Sequence, residues 1–411
     1  MYDVVVIGGG ASGLCAAINA AQNIHGGKVA IIEKNPRTGK KILTTGNGRC
    51  NLTNLDISID KYHTNNSELV KSIFDIFGFE ETKAFFNKIG VVFYNEGNKV
   101  FPNSLQAASV LDLLRFEAQQ NKVQEICNFN CVSVEKKEYF HIQSNDGRKI
   151  VSKAVIFACG GKAAPQSGTN GSAYDILKTF GHKMTKVFPS LVQLVSDTKK
   201  VVPLKGVKVN GEISIYADEK KLRVERGEIL FTDYGLSGPP VFQLSRIASE
   251  CACLKKDCYV SIDLLPDYTK EDVYELLIRR NKNLTLDVFT NGLFNKAVGR
   301  EIIKNSTDYK LNLSADILSY DDYERITDTI KDWRFDISGT KGWDAAQVTA
   351  GGIKLDDFNS HTLESLLCDF LYACGEILDV DGDCGGYNLQ WAWSSGAVAG
   401  KSAAEKINKG K

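Results

Sequence analysis

Six residues near the start of the chain have the spacing of a dinucleotide-binding turn. Gly8, Gly10 and Gly13 fit the pattern G-x-G-x-x-G, with Ala11 and Ser12 between the last two glycines. In this motif the first glycine permits a tight turn, the second lets the backbone approach a pyrophosphate, and the third lets helix and strand pack closely. Unpaired N–H groups at the start of the following helix would then face the phosphates.

Glu33 places an acidic residue where this motif requires one. It lies 20 residues after Gly13, at the end of a predicted strand over residues 28–33. A carboxylate there accepts hydrogen bonds from the ribose hydroxyls of an adenosine and repels a 2′-phosphate, which disfavours NADP. The alternative is a strand–turn–helix that needs glycine only for packing. Because the strands, glycines, helix and acid all fall in register, we predict a dinucleotide site.

A polar, glycine-rich segment over residues 39–54 follows this unit. Its lysines and Arg49 carry the charge to meet phosphates or a substrate anion, and its glycines would let the backbone run close to a planar ring. A solvated surface loop is the alternative, but the Gly46-Asn47-Gly48 pattern favours a binding loop. The predicted contacts are Lys40, Lys41, Gly46, Gly48, Arg49, Cys50 and Asn51.

Acidic residues and a Gly-Gly turn follow a predicted buried strand at residues 371–380. Ligands bind at the carboxyl ends of strands in open α/β sheets, where Glu376 or Asp379 would hold ribityl hydroxyls. A helix that begins near Tyr387 or Asn388 would place its positive end beside the N1–C2=O edge of a reduced flavin. The predicted contacts are Gly375, Glu376, Asp379, Gly386, Tyr387 and Asn388, together with Ala158, Gly160 and Gly161 at the end of another buried strand.

The predicted cofactor is non-covalent FAD. NAD uses the same fold, but no second complete G-x-G-x-x-G unit with its own strand and acid is present. A flavin is also longer than a mononucleotide and needs contacts from distant segments such as 39–54. NAD(P)H is expected only as a transient reductant, because the flavin carries the hydride chemistry.

No metal is predicted. The acids between Glu376 and Asp383 admit calcium as an alternative, but their spacing matches no recognised calcium loop. Cys251, Cys253 and Cys258 do not have the spacing of a zinc site.

Catalytic side chains are less clearly indicated than cofactor contacts. Three cysteines lie beside the predicted flavin loops, namely Cys50, Cys159 and Cys384. None forms a close pair in the sequence, so packing or wall roles are favoured over redox roles. The five histidines form no constellation and are interpreted as structural or surface residues. The candidate catalytic residues are Arg49, Cys50 and Tyr387, with Trp391 as a further substrate-facing candidate.

Strand and helix patterns indicate an α/β fold with a discontinuous cofactor domain. Residues 1–190 and 335–411 form the predicted Rossmann-type domain, interrupted by a β-rich domain at 191–246 and a helical domain at 247–334. Turn signals within the β-rich part occur at Asn210-Gly211 and Asp218-Glu219.

The composition sets expectations for partners and compartment. Lys+Arg and Asp+Glu both number 50 in 411 residues, so the formal charge is zero and nothing indicates a nucleic-acid partner. No apolar run reaches the ~18 residues of a membrane helix, and the N-terminus does not read as a signal peptide. With eleven cysteines and no secretory signal, a cytoplasmic protein with free thiols and a small-molecule substrate is expected. The sequence leaves the oligomeric state undetermined.

Motifs along nearly the whole chain resemble one family. They are GGGASG with Glu33, GKKILTTGNGRCNLTN at 39–54, FPNS at 101–104, GLSGPPVFQLS at 235–245, AQVTAGGI at 346–353 and GEILDVDGDCGGYNLQWAWSSGAVAG at 375–400. The chain resembles the BaiN/YhiN-like flavoproteins, also described as aminoacetone-oxidase-family FAD-binding enzymes. The resemblance implies a glutathione-reductase-like FAD domain with inserted barrel-like and helical domains. It also implies FAD contacts in the loop 40–51 and at Ser12, Glu33, Lys34, Val132, Glu376, Asn388 and Leu389.

Three functions remain open at this stage. The leading prediction is an NAD(P)H-linked flavin reductase or dehydrogenase for a small or steroid-like substrate, with C=C reduction among the activities that the resemblance implies. The second is an oxidase that passes electrons from an amine-type substrate to oxygen and produces peroxide. The third is a flavin-binding RNA-associated protein, against which the balanced charge argues.

Overall fold

The computed structural model describes residues 1–410, which divide into two compact units. Unit 1 joins Met1–Val187 to the described residues from Gln347 onward, and unit 2 is Phe188–Ala346. The chain therefore leaves the first unit, forms the second, and returns. None of the described helices has both the length and the apolar character needed to cross a membrane.

Unit 1 contains all of the predicted cofactor contacts. Its first segment contains β1 (Tyr2–Ile7), α1 (Ala11–Asn23), β2 (Val29–Ile32), β3 (Thr53–Asn54), β4 (Tyr62–His63), α2 (Ser67–Ile76), α3 (Phe79–Lys88), β5 (Phe93–Glu96), β6 (Lys99–Pro102), α4 (Ala107–Gln120), β7 (Gln124–Ile126), β8 (Cys131–Lys136), β9 (Phe140–Ser144), β10 (Lys149–Phe157) and α5 (Ser172–Thr179).

Unit 2 supplies the middle of the chain, and unit 1 resumes after it. The elements of unit 2 are β11 (Phe188–Ser190), β12 (Leu194–Ser196), α6 (Thr198–Val201), β13 (Lys208–Ala217), β14 (Lys220–Phe231), β15 (Gly235–Ser237), α7 (Pro239–Leu254), β16 (Cys258–Asp263), α8 (Lys270–Ile278), α9 (Lys296–Ser306), α10 (Tyr320–Lys331) and β17 (Trp333–Thr340). Unit 1 then adds β18 (Val348–Ala350), β19 (Leu371–Ala373), β20 (Asp381–Gly382) and α11 (Tyr387–Lys409).

The core of unit 1 is a seven-stranded sheet whose central strands are parallel. β1 pairs in parallel with β2 and β10, and β10 also pairs in parallel with β19. Antiparallel β9 and β8 extend the sheet beyond β10. Strands covered on both faces need apolar side chains on both sides. Residues 4–7 and 29–32 are accordingly all buried, which explains the continuous apolar runs and confirms the predicted α/β class.

Helices α1 and α11 approach each other backbone to backbone. A Cβ added to Gly396 would lie 2.5 Å from the Ser12 carbonyl oxygen, and one added to Gly400 would collide with the Ala16 carbonyl oxygen. The two contacts have the same sequence offset, so the helices run parallel. Only glycine permits this distance at either position, because any side chain would push the helices apart.

Unit 2 is built around a closed six-stranded barrel in the order β12-β15-β14-β13-β16-β17. The separate β-rich domain at 191–246 and helical domain at 247–334 predicted from the sequence are not what the structure contains. Strand β16 lies within the predicted helical range, β17 begins at the end of that range, and both close the barrel, so both ranges belong to one unit. The intervening helices pack their apolar side chains against the barrel in a single hydrophobic cluster.

The two turn signals within the barrel sequence have different outcomes. Asp218 and Glu219 both have positive φ and connect β13 to β14, as predicted. Asn210-Gly211 is not a turn, because both residues lie within β13 and pair with residues of β14. A Cβ on Gly211 would lie 2.6 Å from the Asp263 carbonyl oxygen, so this glycine permits the close approach of a neighbouring strand.

The contact between α1 and α11 yields a stability prediction. We expect Gly400→Ala to lower the free energy of unfolding by about 1–3 kcal/mol, because the added methyl group forces the two backbones apart. Lys401→Ala, on the exposed side of the same helix, is the matched control and should change it by less than about 0.5 kcal/mol. Urea denaturation followed by circular dichroism measures both. Equal stabilities for Gly400→Ala and wild type would contradict the close-packing argument.

Candidate functional site

The glycine turn between β1 and α1 has the three environments that a dinucleotide motif requires. A Cβ on Gly8 would lie 2.5 Å from the Ala158 carbonyl oxygen, and one on Gly13 would collide with the Gly8 carbonyl oxygen. A Cβ on Gly10 would meet no atom within 4 Å. The first and third glycines are thus dictated by the protein's own packing. The second faces open space, which is where a bound pyrophosphate would lie.

Glu33 is fixed beside this turn by hydrogen bonds to both carboxylate oxygens. Oε2 accepts from the Gly9 backbone N–H at 2.9 Å, and Oε1 accepts from the backbone and side-chain N–H groups of Asn35 at 2.8 Å each. The carboxylate is half-buried at the end of β2. Its position in the fold therefore agrees with the position expected for a ribose-binding acid.

A pocket of about 520 Å³, including open solvent, lies beside the turn. Gly8, Glu33, Lys34 and Gly160 from the sequence prediction line it. Sequence reasoning missed the rest of its wall, and Val132, the residue predicted on β8, adjoins the lining residue Cys131 with its own side chain half-exposed. Cys159, which the sequence placed beside a flavin loop, also lines the pocket. The missed lining residues are Ile7, Ile32, Phe129, Asn130, Cys131, Gly168, Asn170, Gly171, Ser172, Ala173 and Ile176. The Ser-Gly-Thr-Asn-Gly-Ser run at 167–172 was the available signal for part of this wall.

The loop after Glu33 is tied to the C-terminal segment by an ion pair. Lys41 Nζ lies 2.6 Å from Glu376 Oε2, and the other carboxylate oxygen of Glu376 accepts from the Thr349 backbone N–H at 2.9 Å. Gly161 is held in the same cluster, since a Cβ there would lie 3.0 Å from Glu376 Oε1. The structure thus brings together three segments that the sequence predicted separately.

The remainder of the loop is tightly wound. Gly46, Asn47, Gly48 and Cys50 all have positive φ, which favours glycine and asparagine at these positions. Lys40 is exposed to solvent. The local backbone geometry of the loop therefore accounts for the Gly46-Asn47-Gly48 pattern.

Arg49 is held by protein partners that the sequence did not indicate. Its guanidinium lies 2.9 Å from Glu96 Oε2 and 4.5 Å from the centre of the Phe101 ring. The antiparallel pairing of β5 with β6 brings these two partners to the same side of a small sheet. Any phosphate or substrate anion would have to compete with Glu96 for this cation.

Cys50 has the character of a core residue. Its side chain has no solvent exposure, and burial raises the pKa of its thiol to about 12. A buried neutral thiol is a poor nucleophile. The thiol of Cys159 also has a partner within the protein, since its sulfur lies 3.1 Å from the Ile7 carbonyl oxygen.

The N-terminus of α11 is formed by a turn in which only glycine fits. Gly386 has φ 101°, and a Cβ there would lie 2.4 Å from the Thr53 carbonyl oxygen. Asn388 holds the turn by accepting from the Gly382 N–H at 2.8 Å and donating to its carbonyl oxygen at 2.7 Å. Asn51 Oδ1 is buried against this turn without a hydrogen-bond partner among residues 1–410. An unsatisfied buried acceptor at a helix N-terminus fits a ligand that carries an N–H group.

Further hydrogen bonds join the C-terminal segment to its own helix. The Gly375 N–H donates to Ser395 Oγ at 2.9 Å, and Trp391 Nε1 donates to the Gly375 carbonyl oxygen at 3.1 Å. Trp391 is therefore a buried structural residue and not a substrate-facing one. Leu389 lies half-buried in the first turn of α11.

A histidine–carboxylate pair occurs in the same region, although the sequence indicated no histidine constellation. His63 Nε2 lies 3.3 Å from Asp383 Oδ1. The two residues are 320 positions apart and meet because β4 pairs with β20. Next to them, Asn65 Nδ2 donates to Asp379 Oδ2 at 3.1 Å, so the predicted ribityl contact Asp379 already has a protein partner.

Tyr387 lies beside this pair at the start of α11. Its carbonyl oxygen accepts from the Tyr62 hydroxyl at 2.9 Å, and the two rings meet edge to face at 5.9 Å. Burial, with smaller contributions from Asp56 and Asp383, raises the pKa of Tyr387 to about 12. Within residues 1–410, no group of three or more His, Cys, Asp or Glu side chains is arranged to hold a metal ion.

The chain matches a family model and several curated proteins over almost its full length. The model described as the HI0933-like protein Rossmann domain matches residues 2–402. The chain is 36% identical to the 3-dehydro-bile acid delta(4,6)-reductase of Clostridium scindens, over 99% of this chain and 100% of the relative. It is 30% identical to the ribosomal RNA dihydrouridine synthase of Escherichia coli, over 96% of both chains.

Solved structures of low sequence identity share the fold. An E. coli quinol fumarate reductase subunit matches with a TM-score of 0.52 at 15% identity, over 100% of this chain and 71% of that chain. The 3-ketosteroid delta1-dehydrogenase of Sterolibacterium denitrificans matches with a TM-score of 0.51 at 13% identity, over 98% and 99%. These similarities agree with the predicted Rossmann-type fold carrying an inserted barrel.

The burial of Cys50 yields a prediction about its reactivity. In the native protein at pH 8, we expect iodoacetamide to alkylate Cys50 about 10²-fold or more slowly than an accessible thiol, because the thiolate is both scarce and shielded. The partly exposed Cys253 is the internal reference, and urea-unfolded protein, in which all eleven thiols should react, is the control. Peptide mass spectrometry measures each site. Equal labelling of Cys50 and Cys253 would restore Cys50 as a candidate nucleophile.

Proposed function

Because the chain belongs to the HI0933-like family of Rossmann-domain proteins and is an oxidoreductase, we propose that it binds FAD and reduces a carbon–carbon double bond conjugated to a carbonyl group. Bound FAD would supply the hydride chemistry. The chain's own residues would then hold the cofactor, orient the substrate and provide a proton. The single observation that carries the cofactor proposal is the open space at Gly10 between two closely packed glycines.

Cofactor binding is supported first by the electrostatics of the turn. The backbone N–H groups at the start of α1 point out of a helix whose first residue follows Gly10. Such N–H groups and the helix dipole stabilise a phosphate group. Glu33 lies beside them at the end of β2, where it would bind the ribose hydroxyls of the adenosine half. We assign Gly8, Gly10, Ala11, Ser12, Gly13, Glu33 and Lys34 to this half of the cofactor.

The length of the cofactor is supported by the offset between α1 and α11. Ser12 contacts Gly396, whereas α11 begins at Tyr387, nine residues earlier. At 1.5 Å per residue, the start of α11 lies about 13 Å ahead of the Ser12 contact. A ligand with phosphates at one helix N-terminus and a ring at the other must therefore be extended, as FAD is. The α11 turn, Asn51 and the Lys41–Glu376 cluster would hold the ribityl and ring half.

The reaction class is supported by what the two named relatives have in common. A 3-dehydro bile acid has a carbonyl group at C3, to which a Δ4 double bond is conjugated. Uridine has a C5=C6 double bond conjugated to its C4 carbonyl, and saturating it gives dihydrouridine. Both names therefore describe reduction of an electron-poor double bond. We propose a small, steroid-like enone as the substrate, because the bile-acid reductase is 36% identical over the whole chain.

A second candidate function is reduction of uridine in ribosomal RNA. The E. coli synthase, 30% identical over 96% of the chain, favours it, although the sequence led to no expectation of a nucleic-acid partner. The zero formal charge supports the small-molecule substrate over RNA. The amine oxidase alternative remains a third outcome of the experiments below.

A spectroscopic titration tests the proposed function. We expect the purified protein to absorb near ~450 nm, to bleach anaerobically with NADH or NADPH, and to recover its absorbance on addition of a 3-oxo-4-ene bile acid. Mass spectrometry should show a product that has gained two hydrogens. Recovery with a uridine-containing ribosomal RNA transcript but not with the bile acid would favour the second function. Peroxide formation from an amine, without enone reduction, would favour the oxidase.

A pair of glycine variants tests the cofactor site itself. Gly10→Ala should leave the cofactor-free protein as stable as wild type, because the methyl group enters open space. It should weaken FAD binding about tenfold or more, since that space is needed by the phosphates. Gly13→Ala is the matched control, in which the methyl group collides with Gly8 and destabilises the protein even without cofactor. Fluorescence titration and thermal unfolding separate the two effects. Unchanged FAD affinity in Gly10→Ala would overturn the proposed site.

A further inference from the structure

The pairing of β4 with β20 brings a histidine and a carboxylate together beside α11. Asp381 lies opposite His63 in this antiparallel pair, and Gly382 lies opposite Tyr62. The His63 side chain then reaches Asp383, with Nε2 3.3 Å from Oδ1. The Asp383 side chain is only 6% exposed, whereas that of His63 is 29% exposed. One member of the pair is thus held inside the protein and the other is partly exposed.

We propose that His63, oriented by Asp383, donates the proton that completes reduction of the substrate double bond. The inference rests on the proposed function and assigns the proton source that this function requires. His63 would be the catalytic residue, and Asp383 would be a positioning residue that acts through it.

Asp383 lies within the turn that precedes α11, and His63 lies in β4 beside it. Asn388 Nδ2 donates to the Asp383 carbonyl oxygen at 3.4 Å and to the Gly382 carbonyl oxygen at 2.7 Å. The Asp383 backbone N–H donates to the Lys61 carbonyl oxygen at 2.9 Å. This hydrogen bond joins the turn to the residue that precedes β4. The imidazole is therefore attached to the same turn that we propose to hold the ring half of the cofactor.

The geometry assigns different tasks to the two ring nitrogens. When Nε2–H donates to the buried carboxylate, Asp383 fixes the tautomer and the ring plane. Nδ1 is then the second protonation site and is free to carry a proton to the substrate.

The proposed step balances in atoms and electrons. A hydride, carrying two electrons and supplied by the reduced form of bound FAD, would add to the β carbon of the enone, and the π electrons of the double bond would move toward the carbonyl group. A C–H bond then forms at the α carbon as the Nδ1–H bond of His63 breaks. The product has gained one hydride and one proton, and neutral His63 regains its proton from solvent through its exposed edge.

Other titratable groups near His63 are less suited to this task. Burial raises the pKa of Tyr62 well above its ordinary value and that of Tyr387 to about 12. Asp381 and Asp383 are buried carboxylates, and Lys61 adjoins the strand in sequence. Histidine is the side chain whose unperturbed pKa lies nearest neutral pH. By contrast, the buried His182 stacks on Phe358, as a structural histidine does.

The two half-reactions provide the test. With holoenzyme at pH 7, we expect His63→Ala to slow reoxidation by a 3-oxo-4-ene bile acid about 10²-fold or more. Bleaching by NADH and the affinity for FAD should stay within about twofold of wild type, because neither needs this proton. Added imidazole should restore a substantial part of the rate in His63→Ala, which a purely structural defect would not allow. His361→Ala, at an exposed histidine paired with Ser360, is the control.

A measurement without turnover tests the positioning role. In ¹⁵N-histidine NMR spectra of the resting protein, wild type should show His63 with the proton on Nε2, and Asp383→Asn should shift that tautomer equilibrium. Asp383→Asn should also lower kcat more than it raises KM. An unchanged His63 tautomer in Asp383→Asn would overturn the positioning role.

The outcomes separate this inference from the function on which it rests. If wild type fails to reduce any enone, the proposed function is wrong. If wild type reduces the enone and His63→Ala reoxidises at the wild-type rate, the function stands and the inference is wrong. Slow reoxidation without imidazole rescue, together with altered FAD binding, would also overturn it, because His63 would then be a structural residue.

Discussion

The parallel contact between α1 and α11 is the constraint on which the rest of unit 1 depends. Gly396 and Gly400 let the backbone of one helix rest on the carbonyl groups of the other, near Ser12 and Ala16. Contacts of this kind leave no room for a side chain, because a side chain on either glycine would separate the helices. Since each helix begins at a predicted cofactor contact, their packing also sets the distance between the two N-termini. Stability and ligand geometry are therefore controlled by the same few atoms.

The segment that precedes α11, residues 376–383, binds side chains from distant parts of the first segment of unit 1. Glu376 is paired with Lys41, Asp379 accepts from Asn65, and Asp383 meets His63. Each link joins residues more than 300 positions apart. Buried carboxylates are tolerated only when hydrogen-bonded or paired. The acidic run that admitted calcium as an alternative is consequently a set of anchors for loops and strands, and its acids have protein partners.

Burial determines which side chains remain available for chemistry. The thiol of Cys50 and the hydroxyl of Tyr387 both have raised pKa values because the charged form is poorly solvated inside the protein. Arg49 is occupied by Glu96 and Phe101. The structure thus disfavours catalytic roles for the three candidates from the sequence. The physical reason is the same for each, because neighbouring residues either bind the side chain or bury it. A partly exposed imidazole held by a buried carboxylate answers the requirement for proton transfer better.

The sequence by itself determined the features that depend on neighbours along the chain. The glycine turn, the apolar strands beside it, the acid at Glu33 and the helix after Gly386 all follow from backbone rules and short-range periodicity. Only the tertiary structure decided that β16 and β17 close a barrel with strands far earlier in the chain. It also decided that Asn210-Gly211 lies within a strand and that His63 faces Asp383. These outcomes depend on which distant segments pack together, and a local pattern of residue types contains no record of such long-range contacts.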